Sequence, residues 1–442
     1  MSSIPAGFRA LPLPISQLCL SAVLKCGQSF RWTSLPLSSS SEKTSIPEQE
    51  LNPEPTHEYR FCLKDRVVCL RQTKDNIYYR SAYKDLSENA SSCSTSSKAR
   101  SSNNERENET LVFLRDYFQL EIDLNKLYDD WSSSDPVFKN LKHRFSGIRI
   151  LRQDPWECLI SFICSSNNNI TRISKMVHNL CIHFSPCLVK LDDPIAVGCE
   201  TAHHPFPPPS ILAAPSVGTK LRELGFGYRA DFIQKTAAML IQEHGSDEAV
   251  FKHLSGLRLV DTESARAELL KLMGVGRKVA DCILLMSLDK REVVPVDTHV
   301  HQIAVKHYGM KGSSSGKTSM TPKLYDEVNA KFTKIWGPYA GWAHSILFTA
   351  DLKSFSTYGL PTPSSSVTPA SNSPQPSAGP LDFEETPPTP KRKRKLVKTE
   401  TKNVTLTSTV VVNDTLELEG DNLAERVKRR RRGVAVTVKD EL

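Results

Sequence analysis

The chain has 442 residues, enough for two or three packed units, and its 39% hydrophobic content can supply their cores. No apolar run approaches the roughly 20 residues that cross a membrane, so a membrane-spanning helix is not expected. Lys and Arg number 57 against 49 Asp and Glu, net +8; residues 391–442 hold 14 basic and 8 acidic residues (+6), leaving +2 for the rest, so any nucleic-acid site there must be a local patch.

The opening stretch carries Pro5, Pro12 and Pro14 and no basic-then-apolar export signal. Strand patterning dominates the first unit, taken to run to Lys142: Tyr59–Leu63 and Val67–Leu70 flank a Lys64–Arg66 turn, and Ile77–Arg80 follows as a third strand. Polar insertions near 38–58 and 85–109, rich in Ser, Asn and Glu, read as surface loops or disordered segments. Glu109–Phe118 returns to an apolar pattern, and Asp123 opens a helical one.

From Asp154 the period is that of helices. Asp154 caps a helix whose first residue is Pro155, and Trp156–Cys164 is apolar enough to be buried on most sides. Further helices are predicted over 170–181, 229–243, 262–272, 278–287, 298–307, 322–336 and 339–351. The fold class is therefore α+β, an N-terminal antiparallel β-rich domain (1–142) followed by an all-helical bundle (143–352). Residues 353–442, rich in Ser, Thr and Pro, read as a disordered basic tail. Its clusters Lys391–Lys395 and Lys428–Arg432 suit nuclear import or loose phosphate binding, against a merely solubilising role. The last four residues, Lys439–Leu442, spell a lumenal retrieval address, read as coincidence without a signal peptide.

The chemistry concentrates at Leu270–Cys282. An amphipathic helix ends at Met273-Gly274-Val275-Gly276, and a second helix begins at once. Gly274 and Gly276 permit a tight hairpin and leave backbone amides free to face a phosphate, joined by the first-turn amides of the next helix. Such a helix-hairpin-helix, at 262–288, binds the DNA backbone without reading sequence; in isolation, Gly-x-Gly also fits a plain turn. Lys278 lies in that first turn, where the helix dipole disfavours a cation, so a neutral, nucleophilic amine is expected there. Cys282, four residues on, shares its face. A phosphate-contacting or solvent lysine is the plainer reading. Asp297 sits where an N-cap belongs, worth about 1 kcal/mol without any catalysis; beside a reactive lysine it also suits stabilising a sugar cation or managing the amine proton. The 11 cysteines include no Cys-x-x-Cys pair, and reduced, mostly buried thiols are expected.

Several segments together carry a family signature: Cys26-Gly27-Gln28-Ser29-Phe30-Arg31-Trp32; Leu151–Pro155 continuing to Cys164–Ile170 with three consecutive Asn; Leu224–Ala230; Lys278–Cys282; Val294–His299; and Gly341–His344 to Leu352. Over residues 11–352, insertions apart, the chain resembles the 8-oxoguanine DNA glycosylase/lyase family of the helix-hairpin-helix glycosylase superfamily. The resemblance implies a bifunctional enzyme of base excision repair that excises 8-oxoguanine opposite cytosine and then cuts the strand by β-elimination. It implies that Lys278 attacks C1′ and forms a Schiff base, with Asp297 assisting. The Gly27 carbonyl would accept the N7 hydrogen that guanine lacks, and Phe348 and Cys282 would sandwich the flipped base. Asn167, Arg172 and Arg229 would address the orphaned cytosine, Tyr228 would wedge into the gap, and His299, with the amides of Gly274 and Gly276, would contact phosphate.

Two positions depart from the family. Met273 stands where Pro is usual, which loosens the turn without removing its donors. His344 stands where a glutamine reads the Watson–Crick edge; an imidazole offers fewer groups, and its charge is expected to change near neutral pH, making substrate preference broader, weaker or more pH-dependent. A nuclear monomer acting on double-stranded DNA is expected, with nuclear import machinery as a partner for the basic clusters and room for a minor mitochondrial pool. No membrane and no catalytic cofactor are expected. An iron–sulfur cluster is not expected because no cysteine follows Cys282, whereas a structural cation at the hairpin is allowed. The alternatives are a monofunctional or different-lesion glycosylase of the superfamily, and a non-catalytic damage-binding protein.

Overall fold

The structure, a computed structural model, describes residues 4–37, 54–84, 96–196, 198–311 and 320–360, with only the backbone of 96–103. Strands β1 (Arg9–Pro12), β2 (Thr33–Pro36), β3 (His57–Cys62), β4 (Arg66–Gln72) and β5 (Asn76–Tyr83) form one antiparallel sheet in the order β1-β5-β4-β3-β2, with helix α1 (Leu20–Val23) between β1 and β2. The β3, β4 and β5 runs lack simple polar alternation because both faces are covered. Tyr59, Val68, Leu70, Ile77 and Tyr79 face the main core, whereas Cys62, Val67, Cys69 and Tyr78 lie with Leu188, Val189 and Leu191. The latter cover comes from a hairpin, β6 (Val189–Asp192) and β7 (Glu200–His203), which interrupts the expected all-helical region.

Helices begin earlier than the sequence patterning suggested. α2 (Ser96–Tyr117), α3 (Leu124–Ser134) and α4 (Pro136–Leu141) precede residue 142, so the expected loop over 85–109 is helical from Ser96 onward. Polar contacts seat α2: Glu107 accepts from the Ser81 amide at 3.3 Å, and Thr110 and Ser81 hydroxyls meet at 2.7 Å. Most of the remaining insertions, 38–53 and 85–95, lie outside the described residues, and β3 already starts at His57.

The helical part continues with α5 (Pro155–Ser165), α6 (Ile170–Phe184), α7 (Pro209–Ala213), α8 (Val217–Glu223), α9 (Arg229–His244), α10 (Asp247–Gly256), α11 (Thr262–Leu270), α12 (Arg277–Ser287), α13 (Thr298–Tyr308), α14 (Pro322–Trp336) and α15 (Ala340–Asp351). Local capping sets many starts: Asp154 accepts from the Glu157 amide, Asn169 from Arg172, Asp261 from Ser264 and Thr321 from Leu324. α5 is buried along nearly its whole length and centres a core with α6 and α8–α12. A second core joins the sheet and α3–α4 to α13–α15. The sheet is thus not packed as a separate unit ending at 142. The expected end at Leu352 is also extended: Phe355 is buried, and Arg144 donates to the carbonyls of Phe355, Ser356 and Tyr358. The basic clusters and the Lys439–Leu442 tetrapeptide lie outside the described residues.

Candidate active site

α9 seats the hairpin between α11 and α12. Thr236 Oγ donates to the Met273 carbonyl at 2.9 Å. Gly274 has φ +81°, and a Cβ there would lie 2.6 Å from the Phe232 ring, so the turn tolerates no side chain. Gly276 caps α12 without a side-chain hydrogen bond and with open space beside its Cα. The first-turn amides of α12 therefore lack a capping side chain, as an anion site requires.

Lys278, Cys282, Asp297, Gly27, His344 and Phe348 all line one cavity, with Cys26, Gln28 and Phe162 also in its wall. The Lys278 ammonium sits 5.6 Å from the centre of the Phe162 ring. Asp297 Oδ1 accepts from the amides of His299 (3.0 Å) and Val300 (2.9 Å), so one carboxylate oxygen makes the whole cap and Oδ2 is left out of it. Phe348, half-buried, forms part of the cavity wall.

Two electrostatic expectations are corrected. Burial pulls the Lys278 amine down, but Cys282 and Asp297 pull it up, and the net direction is upward rather than toward a neutral amine. Burial pushes the Cys282 thiol up to about 11, so at neutral pH it is a thiol, its upward push on Lys278 belongs to its thiolate form, and Asp297 is the charged neighbour that favours the ammonium. His344 does not titrate near neutrality: burial lowers it to about 4. Neither of its ring nitrogens has a protein hydrogen-bond partner, which leaves a neutral imidazole with one donor and one acceptor on the cavity wall.

The Cys26–Trp32 motif is a mount for Gly27. Gln28 donates to the Arg149 carbonyl (3.0 Å) and accepts from the Leu151 amide (3.0 Å), while Gln153 donates to the Gln28 carbonyl at 2.9 Å. Arg31 makes a buried two-pronged pair with Glu157 of α5, at 2.9 and 2.6 Å, and donates to the Cys62 carbonyl at 2.8 Å. These bonds fix Gly27, at φ +88°, against the start of α6, where its missing Cβ would meet Ile170 Cδ1 at 2.9 Å. The sequence carried Gln28 and Arg31 only as parts of a motif, and no local signal paired Arg31 with Glu157.

The four residues expected at the orphaned base gather where the 225–229 turn meets the 165–169 turn. Tyr228, half exposed, donates to the Ser166 carbonyl at 3.0 Å. Arg172 donates to the Gly225 carbonyl at 3.2 Å. Asn167 is exposed and holds a left-handed φ of +48°, uncommon outside glycine. Arg229 differs from the other three: it is buried, and its guanidinium is engaged by the carbonyls of Ser166, Asn167 and Phe226. It holds the Asn167 turn in shape rather than presenting a free cation. His299 Nε2 lies 3.1 Å from Asp351 Oδ2 without hydrogen-bond alignment, an acidic neighbour that sequence spacing did not reveal.

Among the described residues, no group of three or more His, Cys, Asp or Glu is arranged to hold a metal ion, the ten cysteines are free, eight of them buried, and no helix is long and apolar enough to cross a membrane.

Comparison with known proteins places this geometry in context. Residues 10–159 match the family model for the 8-oxoguanine DNA glycosylase N-terminal domain, and residues 160–336 match that of the HhH-GPD superfamily of base excision DNA repair proteins. An N-glycosylase/DNA lyase of Saccharomyces cerevisiae is 34% identical over 365 residues, covering 78% of this chain and 86% of the relative. An N-glycosylase/DNA lyase of Arabidopsis thaliana is 37% identical over 347 residues, covering 77% and 80%. The fold is also that of the Clostridium acetobutylicum 8-oxoguanine glycosylase/lyase, solved with double-stranded DNA containing cytosine opposite 8-oxoguanine, at a TM-score of 0.55, 24% identity and coverage of 79% of this chain and 96% of that one.

Proposed function

Because the chain belongs to the 8-oxoguanine DNA glycosylase/lyase family of the HhH-GPD superfamily, we propose that Lys278 is the nucleophile with which it excises 8-oxoguanine opposite cytosine. The chain is a DNA N-glycosylase/lyase of base excision repair. Support for the residue assignment comes from one observation above the rest: Lys278, Asp297 and the candidate base-contacting groups line a single cavity beside the hairpin.

The hairpin amides hold a phosphate while the damaged base leaves the stack, at a cost of a few kcal/mol that Tyr228, wedged into the gap, helps offset. The Gly27 carbonyl accepts the N7 hydrogen of 8-oxoguanine. Guanine presents a lone pair there, and the unsatisfied contact rejects it. The Lys278 amine must lose a proton before attack, and the departing base is the acceptor for it, so the Asp297 carboxylate stays ionised. The Lys278 lone pair then forms the N–C1′ bond as the C1′–N9 pair departs with the base, and Asp297 stabilises the positive charge on the sugar. One of the two protons on the new C1′ amine passes to O4′ as the sugar ring opens, giving a protonated imine; removal of a C2′ proton then expels the 3′ phosphate.

Borohydride trapping on an 8-oxoguanine–cytosine duplex, with mapping of the modified peptide, tests this reading. An adduct at Lys278, lost in Lys278→Gln, is expected; tight binding without an adduct would leave a monofunctional glycosylase or a binding protein. The proposed cycle uses no metal, so excision should be retained in excess EDTA. We also read the protein as a nuclear monomer. A fluorescent fusion should lose nuclear accumulation when both Lys391–Lys395 and Lys428–Arg432 are neutralised, and light scattering should give the mass of one chain.

A further inference from the structure

α14 contributes nothing to the cavity wall, yet one of its side chains joins the two elements that carry Lys278 and Asp297. Tyr325 is buried, and its hydroxyl donates to Asp281 Oδ2 at 2.5 Å while accepting from the Val296 amide at 3.1 Å. Asp281 lies on α12, three residues beyond Lys278. Val296 immediately precedes Asp297. The other carboxylate oxygen of Asp281, a residue with no solvent exposure, accepts from Arg266 Nε at 2.7 Å, which ties α11 into the same network. One turn further along α14, Asn329 donates to the Val294 carbonyl at 2.9 Å and holds the same extended segment again. A buried polar chain with its partners met is rigid and directional, and apolar packing of the same shape is neither.

We propose that Tyr325 is a positioning residue for the reaction, its hydroxyl fixing the spacing between the Lys278 amine and the Asp297 carboxylate. The inference rests on the assignment of those two residues as the reacting pair. Productive geometry is steeply distance-dependent, and a displacement of about 1 Å can cost on the order of 100-fold in rate. Tyr325→Phe keeps the ring and its packing but leaves the Val296 amide without its acceptor and Asp281 short of a donor.

The matched control is Tyr128→Phe. Tyr128 is equally buried, and its hydroxyl also both donates, to the Phe145 carbonyl at 2.8 Å, and accepts, from the Ile148 amide at 3.2 Å, but it lies on α3, and neither it nor these partners line the cavity. Single-turnover base release would be followed at a temperature where circular dichroism shows every full-length variant folded, together with affinity for a duplex bearing an uncleavable abasic analogue. Tyr325→Phe should slow base release about 10- to 100-fold with affinity within about twofold, whereas Tyr128→Phe should lower the unfolding midpoint comparably and leave the rate within about twofold. Undiminished base release in Tyr325→Phe, or equal slowing by Tyr128→Phe, overturns the proposal. If Tyr325→Phe does not fold, Asp281→Asn serves in its place, with slowed base release at retained affinity expected and an unchanged rate overturning the bridge. Trapping of the wild type runs alongside: no adduct at Lys278 overturns the underlying assignment, while an adduct with an undiminished Tyr325→Phe rate overturns only the bridge.

Discussion

Asp297 carries two roles on one carboxylate, and substitution can separate them. Asparagine caps a helix about as well as aspartate, so Asp297→Asn should leave urea stability within a few tenths of a kcal/mol while slowing base release about 100-fold through loss of the charge. Asp297→Ala should lose the same rate and about 1 kcal/mol of stability as well; equal stability of the two variants would mean that the cap contributes nothing. His344 makes a different prediction. Folding lowers its titration from 6.5 to about 4 through burial, so between those values the unfolded chain holds the extra proton and stability falls as pH drops through that window. His344→Gln should flatten that part of the stability profile. In the folded enzyme the ring stays neutral from pH 5.5 to 8, so wild type and His344→Gln should show parallel excision profiles there. A step near pH 6.5 confined to the wild type would sink this account of the pocket.

At the scale of elements, the hairpin gives a paired test. Gly274→Ala forces a Cβ into Phe232 at a positive φ, whereas Gly276→Ala places its Cβ in open space. The first should weaken binding to undamaged duplex about tenfold, consistent with loss of one or two phosphate contacts, and the second should change it by less than about twofold; fluorescence anisotropy at fixed salt measures both. Elements bounded by local chemistry were legible in the sequence. Asp154-Pro155, Asp297 and Pro322 mark helix starts found at Pro155, Thr298 and Pro322. α10 was readable but missed, since Ser246 followed by Asp247 and Glu248 is an N-terminal signature. The N-terminal part of α2 was not readable, because a run of Ser, Asn, Arg and Glu held by Ser81 has no apolar period to betray it. The site divides the same way. Lys278 and Asp297 announce themselves by position at helix starts and Cys282 by sharing the face of Lys278 four residues on, whereas Arg31–Glu157 and Tyr325–Asp281 pair residues 126 and 44 apart, a relation that spacing along the chain does not encode.

Across the whole molecule, the segment after α15 closes the core that begins at the first strand. Tyr358 Oη meets Cys19 Sγ at 3.0 Å and its ring stacks on Phe145, while Phe355 is buried. A chain ending at Leu360 keeps these contacts and is the reference for the comparison. One ending at Leu352 should lose on the order of 3 kcal/mol, the usual cost of deleting a buried aromatic; equal melting of the two would show that 353–360 contributes nothing. The same closure sets a clock during synthesis. The core that includes Leu20 also includes residues of α13–α15 and Phe355, which follow it in the chain by about 280 to 335 residues, at 5–20 residues per second roughly 14 to 67 s. For that interval the nascent sheet exposes the apolar face it will later bury, so the first-made part of this enzyme has the longest need of a chaperone.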